Sequence, residues 1–299
     1  MDLYTKLCDK RKLFLIAGPC VVETDAVMRE VAETLLQIQK EFEIAVVFKS
    51  SYAKANRSSG DSYAGPGMAE GLRAMEKIKR EYGLPLLTDI HEQSEAETAA
   101  EVCDILQIPA FLCRQTALIK AAADTGRIVN LKKGQFMAPE DMQAAALKAG
   151  KQPKVLLTER GSSFGYHDLV VDFRSFAVMG AIGYPVVYDV THSLQKPSAG
   201  KTSGGCPEYA PMMARAAVAT GWVDGLFLET HPKPRDALSD AASMLAASLK
   251  ASRGLGCVSR KRPSTQPVAT AALAIIGAYS GQPPEVFPAL GFCREWVTS

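Results

Sequence analysis

Residues 127 to 160 read RIVNLKKGQFMAPEDMQAAALKAGKQPKVLLTER: two short apolar runs, each ending on charge, held apart by a stretch long enough for one helix. The runs RIVNLKK at 127–133 and KVLLTER at 154–160 are apolar without alternation, the pattern of strands covered on both faces. Six more runs of this form lie along the chain: FLIAGPC at 14–20, IAVVFKSS at 44–51, LPLLTDI at 84–90, ILQIPAFL at 105–112, PVVYDVTH at 185–192 and GLFLETH at 225–231. Stretches long enough for helices separate them. The first, TDAVMREVAETLLQIQKEF at 24–42, opens on Thr24 as an N-cap and repeats apolar residues every three or four positions. Eight such β-then-α units predict an α/β fold, a parallel sheet closed into a (β/α)8 TIM barrel, with a doubly wound open sheet as the structural rival. One barrel domain is expected over residues 1–250, followed by a C-terminal extension at 251–299.

Composition narrows the function. The 34 basic and 32 acidic residues leave a formal net charge of +2, so no bulk field favours nucleic acid or an acidic membrane surface. The cysteines, at 8, 20, 103, 113, 206, 257 and 293, never form a CxxC pair. That pattern fits a reducing, cytoplasmic compartment better than a disulfide framework or a zinc ribbon. The apolar run before Gly18-Pro19 is too brief for a signal core, and no run reaches the roughly 18 apolar residues of a membrane span. Neither nucleic acid nor a membrane is expected as a partner.

Barrel enzymes keep their chemistry where strands end and loops begin. In chain order these ends carry Cys20, Lys49, Asp89 with His91, Gln107 and Arg114, Lys132 with Lys133, Glu159 with Arg160, Asp189 with His192, and Glu229 with His231. All four histidines, His91, His167, His192 and His231, fall at or just after a predicted strand end. Lys49, Lys54, Arg57, Arg114, Lys132 and Arg160 would bring cations to one rim, where they suit phosphate or carboxylate and would repel one another unless anions sat among them. Cys20, His192, Glu229 and Asp240 offer a thiolate, an imidazole and two carboxylates from strands that adjoin once a barrel closes. This mixture of hard and soft donors suits Fe2+, Zn2+ or Mn2+ better than Mg2+. The plainer alternatives are a small buried apolar Cys20, a hydrogen-bonded barrel-end His192 and a surface carboxylate at Asp240; Cys103 and Cys113 read as packing residues.

Eight segments taken together carry a resemblance. They are IAGPC at 16–20, FKSSYAKANRSSGDSYAGPG at 48–67, TDIHE at 88–92, QIPAFLCRQT at 107–116, NLKKGQF at 130–136, TERGSSFGY at 158–166, YDVTHSLQ at 188–195 and ETHPKPRDALSD at 229–240. In this order they resemble the 3-deoxy-D-manno-octulosonate-8-phosphate synthases, also called 2-dehydro-3-deoxyphosphooctonate aldolases. The related 3-deoxy-D-arabino-heptulosonate-7-phosphate synthases typically carry Lys-Pro-Arg-Thr where this chain has Lys54-Ala55-Asn56-Arg57-Ser58, which favours the octulosonate branch. The resemblance implies condensation of phosphoenolpyruvate with D-arabinose 5-phosphate and water, a step toward the inner sugar of lipopolysaccharide. By motif position, Lys49, Lys132, Arg160 and His192 would hold phosphoenolpyruvate with Gln107 nearby. Asn56, Arg57, Ser58 and Asp89 would hold the pentose phosphate, with Lys54, His192 and Asp240 as the expected catalytic residues.

The same resemblance implies a homotetramer, because the Arg and Ser of KANRSS reach a neighbouring subunit's sugar phosphate. It also implies a divalent metal ion on Cys20, His192, Glu229 and Asp240, since the metal-independent branch has Asn at the position of Cys20. Ala64 departs from the Arg of many relatives, and residues 251–299 do not align with the family. Two other functions are weighed against this one. One is a related synthase acting on erythrose 4-phosphate or an N-acylated hexosamine; the other is a non-catalytic barrel that binds phosphometabolites.

Overall fold

A computed structural model of the chain describes residues 1–54, 63–151, 153–164, 168–196 and 204–246. The expectations placed on Asn56, Arg57, Ser58, His167 and the extension at 251–299 lie outside the described residues. Eight parallel strands form the centre: β1 Phe14–Gly18, β2 Ala45–Lys49, β3 Leu86–Asp89, β4 Ile105–Ile108, β5 Ile128–Lys132, β6 Val155–Glu159, β7 Val186–Asp189 and β8 Gly225–His231. Each pairs with the next, and β8 pairs back onto β1 with Phe14 opposite Gly225 and Gly18 opposite Glu229. That closure makes the sheet a (β/α)8 barrel and removes the open-sheet alternative.

Helices α1 Asp25–Phe42, α2 Met68–Tyr82, α3 Ala96–Val102, α4 Thr116–Asp124, α5 Met142–Leu147, α6 Arg174–Gly180 and α7 Ala210–Ala219 alternate with the strands. Thr24 caps α1 as its sequence predicts, its side chain accepting from Val27 N at 3.4 Å.

The unbroken apolar character of the strands follows from two separate cores. Outward residues such as Leu15, Val46, Leu106, Leu157 and Leu228 pack with helix residues such as Val31, Leu35, Ile78, Ile119 and Phe176. Inward residues Phe14, Ile16, Val47, Leu87, Ile105, Ile128, Leu156, Val187 and Phe227 fill the barrel axis, together with Leu7 from the N-terminal helix Leu3–Leu7. Both faces are therefore dry, and alternation disappears from the sequence. A Cβ on Gly225 would fall 2.3 Å from the Phe14 ring, so glycine is what lets that ring occupy the axis. Gly225→Ala is accordingly expected to destabilise the barrel by about 1–3 kcal/mol, the ordinary penalty of overpacking, read as a lower midpoint in urea unfolding.

Two strands stop earlier than their apolar runs suggest. β4 ends at Ile108 because Pro109 breaks the ladder and residues Ala110–Leu112 turn in a 3-10 helix. β7 ends at Asp189, whose side chain accepts from His192 N and caps the short helix Val190–Ser193. His192 therefore comes from a helical turn above the barrel, not from the strand itself.

Candidate active site

The apolar filling of the barrel gives way toward its C-terminal mouth to a polar belt. Thr158 Oγ1 donates to Asn130 Oδ1 (2.6 Å), Asn130 Nδ2 to Gln107 Oε1 (2.8 Å), and Gln107 Nε2 to Asp89 Oδ1 (2.6 Å). Ser51 donates to the other oxygen of Asp89. Every bond in this chain runs toward the Asp89 carboxylate, which can only accept and so fixes the direction of both amides. Asn130, Thr158 and Ser51 were not singled out from sequence; a polar residue within two positions of the end of an apolar strand was the available signal.

Above the belt sits a buried lattice of charge. Lys49 bonds to Glu229 and donates to the Cys20 carbonyl at 3.0 Å, and Lys54 Nζ lies 3.7 Å from Glu229 Oε1. Lys132 Nζ is 2.6 Å from Asp189 Oδ2 and 4.2 Å from the centroid of Phe227. Arg160 Nη2 donates to His192 O (3.1 Å) and Gln195 Oε1 (2.9 Å), while its Nε is buried with no hydrogen-bond partner among the described residues. The anions expected among the cations include the protein's own carboxylates: Asp89, Asp189 and Glu229 lie between them. Arg114 does not join the group; it is exposed, and its carbonyl accepts from Lys148.

Burial and charge pull against each other here. Burial opposes ionisation of Asp89, yet Lys49, Lys54 and Lys132 hold its carboxyl below the usual carboxylate range. For Glu229 burial is likewise overcome, by Lys49, Lys54, His192 and Lys132. Burial pushes Lys132 and Arg160 down from their ordinary values, against the neighbouring carboxylates. Lys54 is raised despite its burial because Cys20, Glu229, Asp89 and Asp240 surround it with negative potential. Such opposed shifts in one cleft are the electrostatic mark of a functional site.

At one edge of this lattice, ligand atoms of Cys20, Glu229 and Asp240 all lie within 4.8 Å of one another, an arrangement that could hold a metal ion. Cys20 Sγ is 3.0 Å from Asp240 Oδ2 and 3.0 Å from Ser239 Oγ. His192 falls outside that tight group, though its Nε2 faces Glu229 Oε2 at 3.6 Å while Asp189 holds Nδ1. Glu229 Oε2 is buried without a hydrogen-bond partner among the described residues. A thiol and two carboxylates gathered beside an unsatisfied carboxylate oxygen fit a divalent cation.

The other histidines separate by position. His91 lies after β3 with its Nδ1 3.8 Å from Glu95, and His231 is buried against Glu23. Cys103 and Cys113 are core residues as expected, and burial pushes the Cys103 thiol up to about 12.

Comparison with known proteins agrees with this geometry. The profile of the DAHP synthetase I family matches residues 6–263. A 2-dehydro-3-deoxyphosphooctonate aldolase of Acidithiobacillus ferrooxidans is 55% identical over 230 residues, covering 76% of this chain and 82% of its own. Its namesake in Syntrophotalea carbinolica is 54% identical over 234 residues (77% and 84%), and that of Pelobacter propionicus 52% over 244 (81% and 89%). A profile match over most of the chain, with relatives more than half identical across it, shows that the chain belongs to the DAHP synthetase I family and groups within it with the 2-dehydro-3-deoxyphosphooctonate aldolases.

Proposed function

We infer that the chain condenses phosphoenolpyruvate with D-arabinose 5-phosphate and water, giving 3-deoxy-D-manno-octulosonate 8-phosphate and inorganic phosphate. The observation that carries this reading is one barrel mouth in which buried Lys49, Lys132 and Arg160 adjoin the Cys20, Glu229 and Asp240 donors. The names of the relatives give the phosphorylated octonate, and phosphoenolpyruvate and arabinose 5-phosphate are the substrates that the family resemblance implies. In the reaction C3 of phosphoenolpyruvate attacks the aldehyde carbon, water adds its oxygen at C2, and phosphate departs by cleavage of the C2–O bond. No covalent nucleophile on the protein is required, and none is assigned.

Each residue then has a part. Lys49, Lys132, Arg160 and His192, with Gln107 nearby, hold phosphoenolpyruvate, and the partly unsatisfied Arg160 guanidinium is available to its phosphate or carboxylate. Asn56, Arg57, Ser58 and Asp89 hold the pentose phosphate. Lys54, held cationic among carboxylates, lies close to the reacting groups and stabilises charge as it develops there.

Cys20, His192, Glu229 and Asp240 would hold the metal, Fe2+, Zn2+ or Mn2+ by the mixture of donors, with His192 entering through Nε2. Bound there, a divalent cation supplies Lewis acidity toward the aldehyde oxygen or the attacking water. Asp189 fixes the His192 ring by its bond to Nδ1, and His192 and Asp240 flank the place where the proton of water is lost.

Among the described residues no helix is long and apolar enough to cross a membrane. A cytoplasmic homotetramer, with Arg57 and Ser58 reaching a neighbouring subunit's sugar phosphate, completes the proposal.

The test is substrate choice. Phosphoenolpyruvate should be consumed with arabinose 5-phosphate and not with erythrose 4-phosphate; consumption with the tetrose instead would move the chain to the heptulosonate branch. Arg57→Ala should raise the KM for the pentose phosphate by about tenfold or more, the worth of one charge-assisted contact, with phosphoenolpyruvate binding nearly unchanged. Equal loss toward both substrates in steady-state kinetics would mean the sugar phosphate binds elsewhere.

A further inference from the structure

Asp240 reaches Cys20 from an unusual turn. Of the described residues other than glycine, only Glu43 and Asp240 have positive φ, and Asp240 lies at +49°. The strand-like residues Leu245–Ala246 pair alongside β8, with Thr230 opposite Leu245 and His231 opposite Ala246, so both ends of the loop from 231 to 246 are anchored to the barrel. Apolar packing does not seat its middle: Leu238 is 51% exposed.

What grips the middle is Glu23, three residues beyond Cys20. Its side chain is 4% exposed; Oε1 accepts from Leu238 N at 3.1 Å, and Oε2 lies 3.4 Å from Nε2 of the equally buried His231. The His231 ring is itself fixed by Lys233, whose backbone N donates to Nδ1 at 3.0 Å. One carboxylate therefore hydrogen-bonds the residue two before Asp240 to the segment after β1, beside the His231 ring at the end of β8, whose Nε2 has no hydrogen-bond partner among the described residues. Ser239 and Asp240, the two residues after Leu238, lie within 3.0 Å of the Cys20 sulfur.

We propose that Glu23, through its bond to the Leu238 amide, is a positioning residue that sets the Asp240 carboxylate against Cys20 and so tunes the affinity of the chain for its divalent cation. Glu23 lies outside the proposed ligand set and acts through the Leu238 amide. This inference rests on the metal reading above and adds to it residues that reading does not contain. Groups that orient metal ligands are worth about 10- to 100-fold in affinity.

The test is Mn2+ titration of the chelator-stripped full chain, following free Mn2+ by electron paramagnetic resonance, for the native protein, Cys20→Ala, Glu23→Ala and Glu23→Asp. Glu23→Ala is expected to bind Mn2+ about 10- to 100-fold more weakly than native, with phosphoenolpyruvate affinity in the absence of metal unchanged. Glu23→Asp, which keeps the charge but withdraws it by one methylene, is expected to lose affinity as well, and decides the matter if Glu23→Ala does not fold. Native-strength Mn2+ binding by either folded Glu23 variant, with Cys20→Ala binding none, would overturn the positioning role and leave the metal reading standing. Native chain that binds no Mn2+, or Cys20→Ala that binds it as well as native, would overturn the metal reading and this inference together.

Discussion

Cys20→Ala is expected to abolish metal-supported turnover, lowering kcat by about a thousandfold or more, while the barrel stays folded. The thiol is buried and lies 3.0 Å from Asp240, so on the proposed ligand set its removal deletes the soft donor and leaves His192 and two carboxylates, whose hold on Fe2+ or Zn2+ is weaker. Turnover and metal content after gel filtration check it together. A variant that keeps full activity with no bound metal would sink the assignment of Cys20 as a ligand. The packing loss is small, a single sulfur atom, so a fall in stability large enough to explain inactivity is not expected; circular dichroism through a thermal ramp separates the two causes.

Lys132→Ala should be nearly as damaging, and for two separable reasons. Its ammonium is 2.6 Å from Asp189 Oδ2, and both groups are buried. Removing the cation leaves Asp189 with His192 as its remaining partner, and breaking a buried pair costs about 3–5 kcal/mol of stability. On the proposal that Lys132 holds phosphoenolpyruvate, its loss should lower kcat/KM by about a hundred- to a thousandfold, as for other fixed charges aimed at reacting groups. Urea unfolding measures the first effect and steady-state kinetics on the folded fraction the second. An unfolding free energy equal to that of the native chain would mean that Asp189 does not depend on Lys132. Unchanged kcat/KM would remove Lys132 from the phosphoenolpyruvate site.

Much of the fold was legible because its strands are dry on both faces. Leu15 packs outward while Ile16 packs on the axis, so FLIA appears as one apolar run, and the other strands repeat that form. Strand ends were less legible. The run ILQIPAFL hides a turn at Pro109 because the residues beyond the break are as apolar as those before it, and PVVYDVTH hides a helix cap at Asp189 because a carboxylate at a strand end reads equally as a site residue.

The site followed the strand ends, and Cys20, Lys49, Asp89, Gln107, Lys132, Arg160, Glu229 and Asp240 do converge on one mouth. What sequence could not supply was the pairing among them. Cations at one rim called for anions among them without naming which, and Lys49 with Glu229 and Lys132 with Asp189 form buried pairs. Glu23 escaped notice for a similar reason: one carboxylate after GPCVV reads as the start of a solvated helix, and its grip on Leu238 joins positions 215 residues apart.

The most direct measurement is phosphate release from phosphoenolpyruvate and arabinose 5-phosphate by the chelator-stripped chain, before and after Mn2+ or Fe2+ is added. Release that requires both the pentose phosphate and the metal is the predicted result; release of equal rate without metal, or none with both substrates and metal present, would contradict it.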